Sequence, residues 1–131
     1  MITEVLEGAT VTYPKDCGNA PKKSILAGFY RAFAQGDWDY IKEHTVEALS
    51  WNIIGDKIIN SQEETLALCR EHFSRGVREV QISNVITHGN VAAVNGSVAF
   101  GDDKGYSFCD IYKFNSFGKN AKVKEITSYV I

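Results

Sequence analysis

A basic surplus, a long apolar run and a paired set of cysteines are all missing from this chain, and each absence removes a class of function. Lys and Arg number 14 against 16 Asp and Glu, for a formal net charge of -2, and the pI is about 5.9. That balance offers no basic tract for phosphate backbones or anionic lipid, so neither nucleic acid nor a membrane surface is an expected partner. No apolar stretch approaches the roughly 20 residues that span a bilayer. Met1-Ile2-Thr3-Glu4-Val5 has neither the basic start nor the apolar run of a signal peptide, so the expected compartment is the cytoplasm. Cys17, Cys69 and Cys109 are odd in number and far apart, and form neither a CxxC pair nor a zinc spacing with His44, His72 and His88. They read as free, structural thiols. No metal site is expected, no sequence feature asks for a cofactor, and no Ser-His-Asp or Cys-His grouping can be assembled. Internal repeats and low-complexity tracts are absent too.

What remains is a chain of 131 residues, 44% hydrophobic and 23% charged, enough for one domain with a real core and too short for two. Residues 1–19 carry no sustained period, and Tyr13-Pro14-Lys15-Asp16-Cys17-Gly18-Asn19 is dense in turn formers. They read as an irregular lead-in to a domain spanning 20–131. Pro21 opens a helix capped by Asn19 or Ala20, with Ile25, Phe29 and Phe33 as an apolar stripe flanked by Leu26 and Tyr30, ending at Gly36. Gly28 inside it reads as a close-packing point. Asp37 caps a short second helix with Trp38 and Ile41. Ser61-Gln62-Glu63-Glu64 is a capping box that opens a third, with Leu66, Cys69 and Phe73 inward, stopped by Gly76.

Strands are expected over 49–54 and 57–60 around a Gly55-Asp56 turn, then over 79–87, 91–100, 106–115 and 123–130. Helices first and a long antiparallel meander afterwards argue for an α+β fold, with the helices on one face of a curved sheet. In the strand Tyr106 to Phe114, alternation puts Tyr106, Phe108, Asp110, Tyr112 and Phe114 on one face. A carboxyl group among four aromatics is costly unless hydrogen-bonded or neutral, and this is how an apolar pocket acquires a proton-handling group. Asn95 and Ser97 alternate on a neighbouring strand, and nothing in the pattern decides which face they take.

The run Phe29-Tyr30-Arg31-Ala32-Phe33-Ala34-Gln35-Gly36-Asp37-Trp38-Asp39, then Trp51-Asn52-Ile53-Ile54-Gly55, Asp110-Ile111-Tyr112-Lys113-Phe114 and Glu125-Ile126-Thr127-Ser128-Tyr129 resembles the nuclear transport factor 2-like superfamily, nearest its SnoaL-like branch. The resemblance implies a cone: a strongly bent antiparallel sheet wrapped around N-terminal helices, with a pocket inside and dimerisation through the sheet. It does not imply one activity, because the superfamily includes ketosteroid isomerase, polyketide cyclases, epoxide hydrolases, dehydratases and domains without chemistry. Against ketosteroid isomerase, which uses an Asp base, a Tyr on the first helix and a protonated Asp, the tyrosine position looks like Phe29 and the base position like Asn52, give or take one residue. Only Asp110 matches. An Asp-Arg-Asp set of the epoxide-hydrolase kind is not found.

The resulting expectation is a small-molecule-binding domain, a homodimer through its sheet, that takes a small apolar or carbonyl-bearing ligand. Asp110 would be the candidate acid and Asn52 the orienting amide, with Phe29, Phe33, Trp51, Phe108 and Tyr112 as wall. One alternative is a cofactor-free isomerase, dehydratase or cyclase working by proton transfer on a small carbonyl compound. Another is an interaction module whose cone is filled by its own side chains. A second ionisable group near Asp110 would favour the enzyme; cavity volume separates the filled module from both.

Overall fold

The computed structural model describes residues 1–15 and 20–131. Its elements run β1 (Ile2–Leu6), β2 (Ala9–Tyr13), α1 (Pro21–Gln35), α2 (Trp38–Glu43), β3 (Thr45–Ile53), β4 (Lys57–Ile59), α3 (Gln62–Phe73), β5 (Val77–His88), β6 (Val91–Phe100), β7 (Gly105–Phe114) and β8 (Val123–Val130). The strands join in one open eight-stranded sheet of order β1-β2-β5-β6-β7-β8-β3-β4.

Local signals account for the helices. Pro21 stands in the first turn of α1, and Gly36 closes it at φ 75°, a left-handed conformation that glycine adopts without strain. The N-cap is Ala20, which supplies no side-chain bond; Asn19, the other candidate cap, lies outside the described residues, as does Cys17. Asp37 accepts the backbone N–H of Tyr40 to start α2, and Ser61 accepts that of Glu64 to start α3. Gly28 lets α2 approach: a Cβ there would stand 2.1 Å from the Tyr40 hydroxyl, which donates to the Ile25 carbonyl at 3.0 Å.

Strands β5 to β8 form the expected antiparallel meander. Register shifts between Val77 and Glu79 and between Ile82 and Asn84 mark bulges in β5, and bulges bend and twist the strand that carries them. Across them Val77, Val80, Ile82 and Val85 all remain buried, so the sheet curves without losing its apolar face. On that concave side lie Leu26, Phe29, Tyr30, Leu49, Val94, Phe100, Tyr112 and Phe114, all in the core.

Two features differ from the expected plan. The first residues are not irregular: β1 and β2 make a hairpin, Ile2 opposite Tyr13 through Leu6 opposite Ala9, and β2 extends the sheet by pairing parallel to β5. Ala9, Val11 and Tyr13 are buried, the period of two of a strand with one face on the core. Arg31 of α1 holds the hairpin down, donating to Glu4 and to the Tyr13 hydroxyl at 3.3 Å each, while Tyr13 bonds Glu4. Second, β3 begins at Thr45 and pairs parallel to β8, so the sheet is antiparallel only in part.

Candidate functional site

Inside the curve of the sheet lies a cavity of about 430 Å³, walled mostly by apolar side chains of α1, α3, β3, β6, β7 and β8. Its exposed lining residues Ile54, Asp56, Lys57 and Val130 place the mouth beside the β3–β4 turn and the end of β8. Phe29, Phe33, Trp51, Phe108 and Tyr112 all line it, as do Phe73 and His72 from α3. Among the described residues the lining contains no arginine, and no three His, Cys, Asp or Glu side chains gather as a metal site would require.

A polar cluster centred on Asp110 breaks the apolar wall. Asp110 projects inward from β7, and the Tyr30 hydroxyl of α1 donates to its Oδ2 at 2.6 Å. Tyr30 and Tyr112 oxygens are 2.7 Å apart. With the single proton of Tyr30 committed to Asp110, Tyr112 donates to Tyr30. On the other side Ser128, the cross-strand neighbour of Asp110 on β8, is a hydrogen-bond donor to the carboxyl. Ser128 Oγ accepts the Trp51 indole N–H at 2.9 Å, and an indole N–H can only donate, so the serine proton is left for Asp110. Two donor chains thus converge on one carboxyl group.

Burial pushes the Asp110 carboxyl above the ordinary carboxylate range, while the hydrogen bonds from Tyr30 and Ser128 pull it back; burial dominates. Asp110 keeps partial accessibility through the cavity it lines but is otherwise enclosed. Burial, and then the nearby Asp110 charge, drive the Tyr30 and Tyr112 hydroxyls well above the usual phenol range. The same two causes push the Cys69 thiol up to about 12, so it is neither a nucleophile nor a thiolate ligand at neutral pH. Besides Asp56 and Lys57 at the mouth, His72 lines the same cavity; its Nε2 is 2.9 Å from the Tyr106 hydroxyl and its pKa is lowered by burial and by the Arg75 charge.

No family model matches the chain, and no curated protein matches it. Solved structures do. An NTF2-like protein of unknown function from Cytophaga hutchinsonii superposes with a TM-score of 0.64 at 24% identity, covering 82% of this chain and 97% of that one. A candidate SnoaL-like polyketide cyclase from Shewanella denitrificans gives 0.70 at 13% identity, covering 84% and 90%. An LEH-like epoxide hydrolase from Mycobacterium tuberculosis gives 0.68 at 17%, covering 82% and 80%. The chain has the NTF2-like fold.

Within this NTF2-like cone, two expected site positions need correction. Asn52 does not line the cavity. Leu49, Trp51 and Ile53 do, and strand alternation turns Asn52 to the opposite face, beside Ile58 and Thr127 in the neighbouring strands. It cannot orient a ligand there. Phe29 packs in the wall, but the tyrosine partner of Asp110 is the next residue, Tyr30. The expected tyrosine position is wrong by one residue, and one residue is about 100° of helix. The sequence did carry a signal for Tyr30: a tyrosine on the flank of a buried stripe needs a partner for its hydroxyl. Ser128 had no such signal, because register between β7 and β8 is set by tertiary pairing. Asn95 and Ser97 take the outer face and line a shallow concavity there with Ser107, Cys109, Tyr129 and Ile131. His44 is the C-cap residue of α2, its ring 4.4 Å from that of Tyr40, and exposed His88 borders a turn, so neither lines the cavity.

Proposed function

We propose that this NTF2-like domain is a cytoplasmic binder of a small, uncharged, largely apolar molecule, and that protonated Asp110 donates a hydrogen bond to an oxygen of that ligand. The observation that carries this reading is one carboxyl group enclosed at the wall of an apolar cavity, where burial raises it more than the donors Tyr30 and Ser128 lower it. With both neighbours donating, the acid's own proton has no acceptor among the described residues and faces the cavity. An open volume of about 430 Å³ favours a ligand over a cone filled by its own side chains. 2-Acetylnaphthalene, which pairs a flat apolar frame with one carbonyl, is a suitable probe. Fluorescence titration should give an affinity that Asp110→Asn preserves within about threefold and Asp110→Ala weakens about tenfold. Naphthalene should be indifferent to both changes. No measurable binding of the ketone, or equal binding to the Ala variant, overturns the reading.

A further inference from the structure

The Asp110 network leaves one polar pair of the cavity unused. His72 on α3 and Tyr106 on β7 are bonded through Nε2 and Oη at 2.9 Å, and both line the cavity. Tyr106 shares the inward face of β7 with Asp110 four residues along, a spacing of roughly 13 Å between their Cα atoms, and the Asp110 charge still acts on its hydroxyl. Between them stands Phe108, stacked on Tyr30 with ring centroids 5.2 Å apart and planes 17° apart. The cavity therefore has two polar points separated by a flat aromatic wall.

Proton counting says what the second point can recognise. If Tyr106 donates to Nε2, the ring carries its proton on Nδ1 and the phenol oxygen is left as an acceptor. If Nε2–H donates to Tyr106, the phenol proton is left as a donor and Nδ1 as an acceptor. In both tautomers the pair keeps one donor and one acceptor on atoms that point apart, Nδ1 on one side of the ring and the phenol oxygen on the other, and Nδ1 has no hydrogen-bond partner among the described residues. A ligand hydroxyl, which donates and accepts at one oxygen, bonds the Tyr106 oxygen in either tautomer, whereas a carbonyl or ether oxygen, which only accepts, bonds it in the second alone. Burial and the Arg75 charge lower the imidazole pKa and so disfavour a charged pair, and Arg75 itself is turned to Asp102 at 3.0 Å.

We infer that His72 and Tyr106 form a hydroxyl-recognition point, so that the ligand is a neutral, flat hydroxy-carbonyl compound whose carbonyl meets Asp110 and whose hydroxyl meets the His72–Tyr106 pair. The inference rests on the ligand-binding reading above and narrows its ligand class. Three probes test it: 2-acetylnaphthalene, its 6-hydroxy derivative, and the 6-methoxy derivative, in which the hydroxyl proton is blocked. The hydroxy ketone should bind the wild type about tenfold more tightly than either of the others. In His72→Phe, and independently in Tyr106→Phe, the ratio of hydroxy to plain ketone affinity should fall to within about twofold, whatever happens to the absolute affinities. Circular dichroism of both variants shows that they are folded. Equal binding of the hydroxy and plain ketones to the wild type, or a ratio unchanged in both variants, overturns the inference while the Asp110 reading stands. Failure of all three probes to bind overturns both.

Discussion

Asp110 is held in a balance that a titration can read. Its carboxyl is raised by burial and lowered by Tyr30 and Ser128, with burial the larger effect. An acid whose pKa is higher folded than unfolded binds more protons in the native state between the two values. Stability therefore falls as pH rises from about 3.9, the unfolded value, through the folded pKa, and is level above it. Asp110→Asn removes that fall. The melting temperature of Asp110→Asn minus that of wild type should increase with pH across this window and then plateau; a difference that is flat, or that declines as pH rises, contradicts a raised carboxyl. His72 has the opposite sense. Its pKa is lowered by burial and Arg75, so its contribution is present above about 6.5 and is lost as pH falls toward the folded value. The proton NMR signals of the His72 ring should titrate below 6.5.

Among the elements, two close approaches that depend on glycine should differ in cost. At Gly28 an added Cβ meets the end of the Tyr40 side chain, which can swing at the expense of its bond to Ile25. Alanine also gains about 1 kcal/mol of helix propensity over glycine, against overpacking of about 1–3 kcal/mol. Gly28→Ala should therefore destabilise by about 1 kcal/mol. At Gly96 the added Cβ would stand 2.0 Å from the Gln81 carbonyl oxygen, part of the β5 backbone beside the bulge after Ile82. Backbone in a paired strand cannot turn aside. Gly96→Ala should cost about 3 kcal/mol or more, and urea denaturation of the two variants should rank them in that order.

For the whole molecule, the outer face of the sheet is distinctive for its lack of charge. Ala93, Asn95, Ser97, Ser107, Cys109, Ile111, Thr127 and Tyr129 occupy the outward positions of β6 to β8, and the charges near them, Lys113 and Glu125, pair with each other at 3.9 Å. A face of small polar and apolar side chains suits self-association about a two-fold axis. The expected assembly is a homodimer through this face. Light scattering at micromolar concentration should report twice the chain mass, and Tyr129→Glu should halve it without unfolding the domain. A monomeric wild type ends the expectation.

The sequence by itself determined most of the elements and the inward row of β7. Pro21, Asp37, Ser61 and the Gly36 stop act within one turn of chain, and alternation along a single strand puts Asp110 among aromatics wherever that strand packs. It could not supply what depends on pairing between distant segments. The hairpin at the start of the chain, the parallel pairing of β3 with β8, and the meeting of Ser128 and Trp51 at Asp110 are matters of register, set only when the sheet closes on the helices. Shifts of one residue decided the rest. Helical rotation separates Phe29 in the wall from Tyr30 on the carboxyl, and strand alternation separates Trp51 in the cavity from Asn52 behind it. A hydrophobic pattern locates a face to within a residue, whereas a hydrogen bond of 2.6 Å tolerates no such slip, so the site was decided by the tertiary structure.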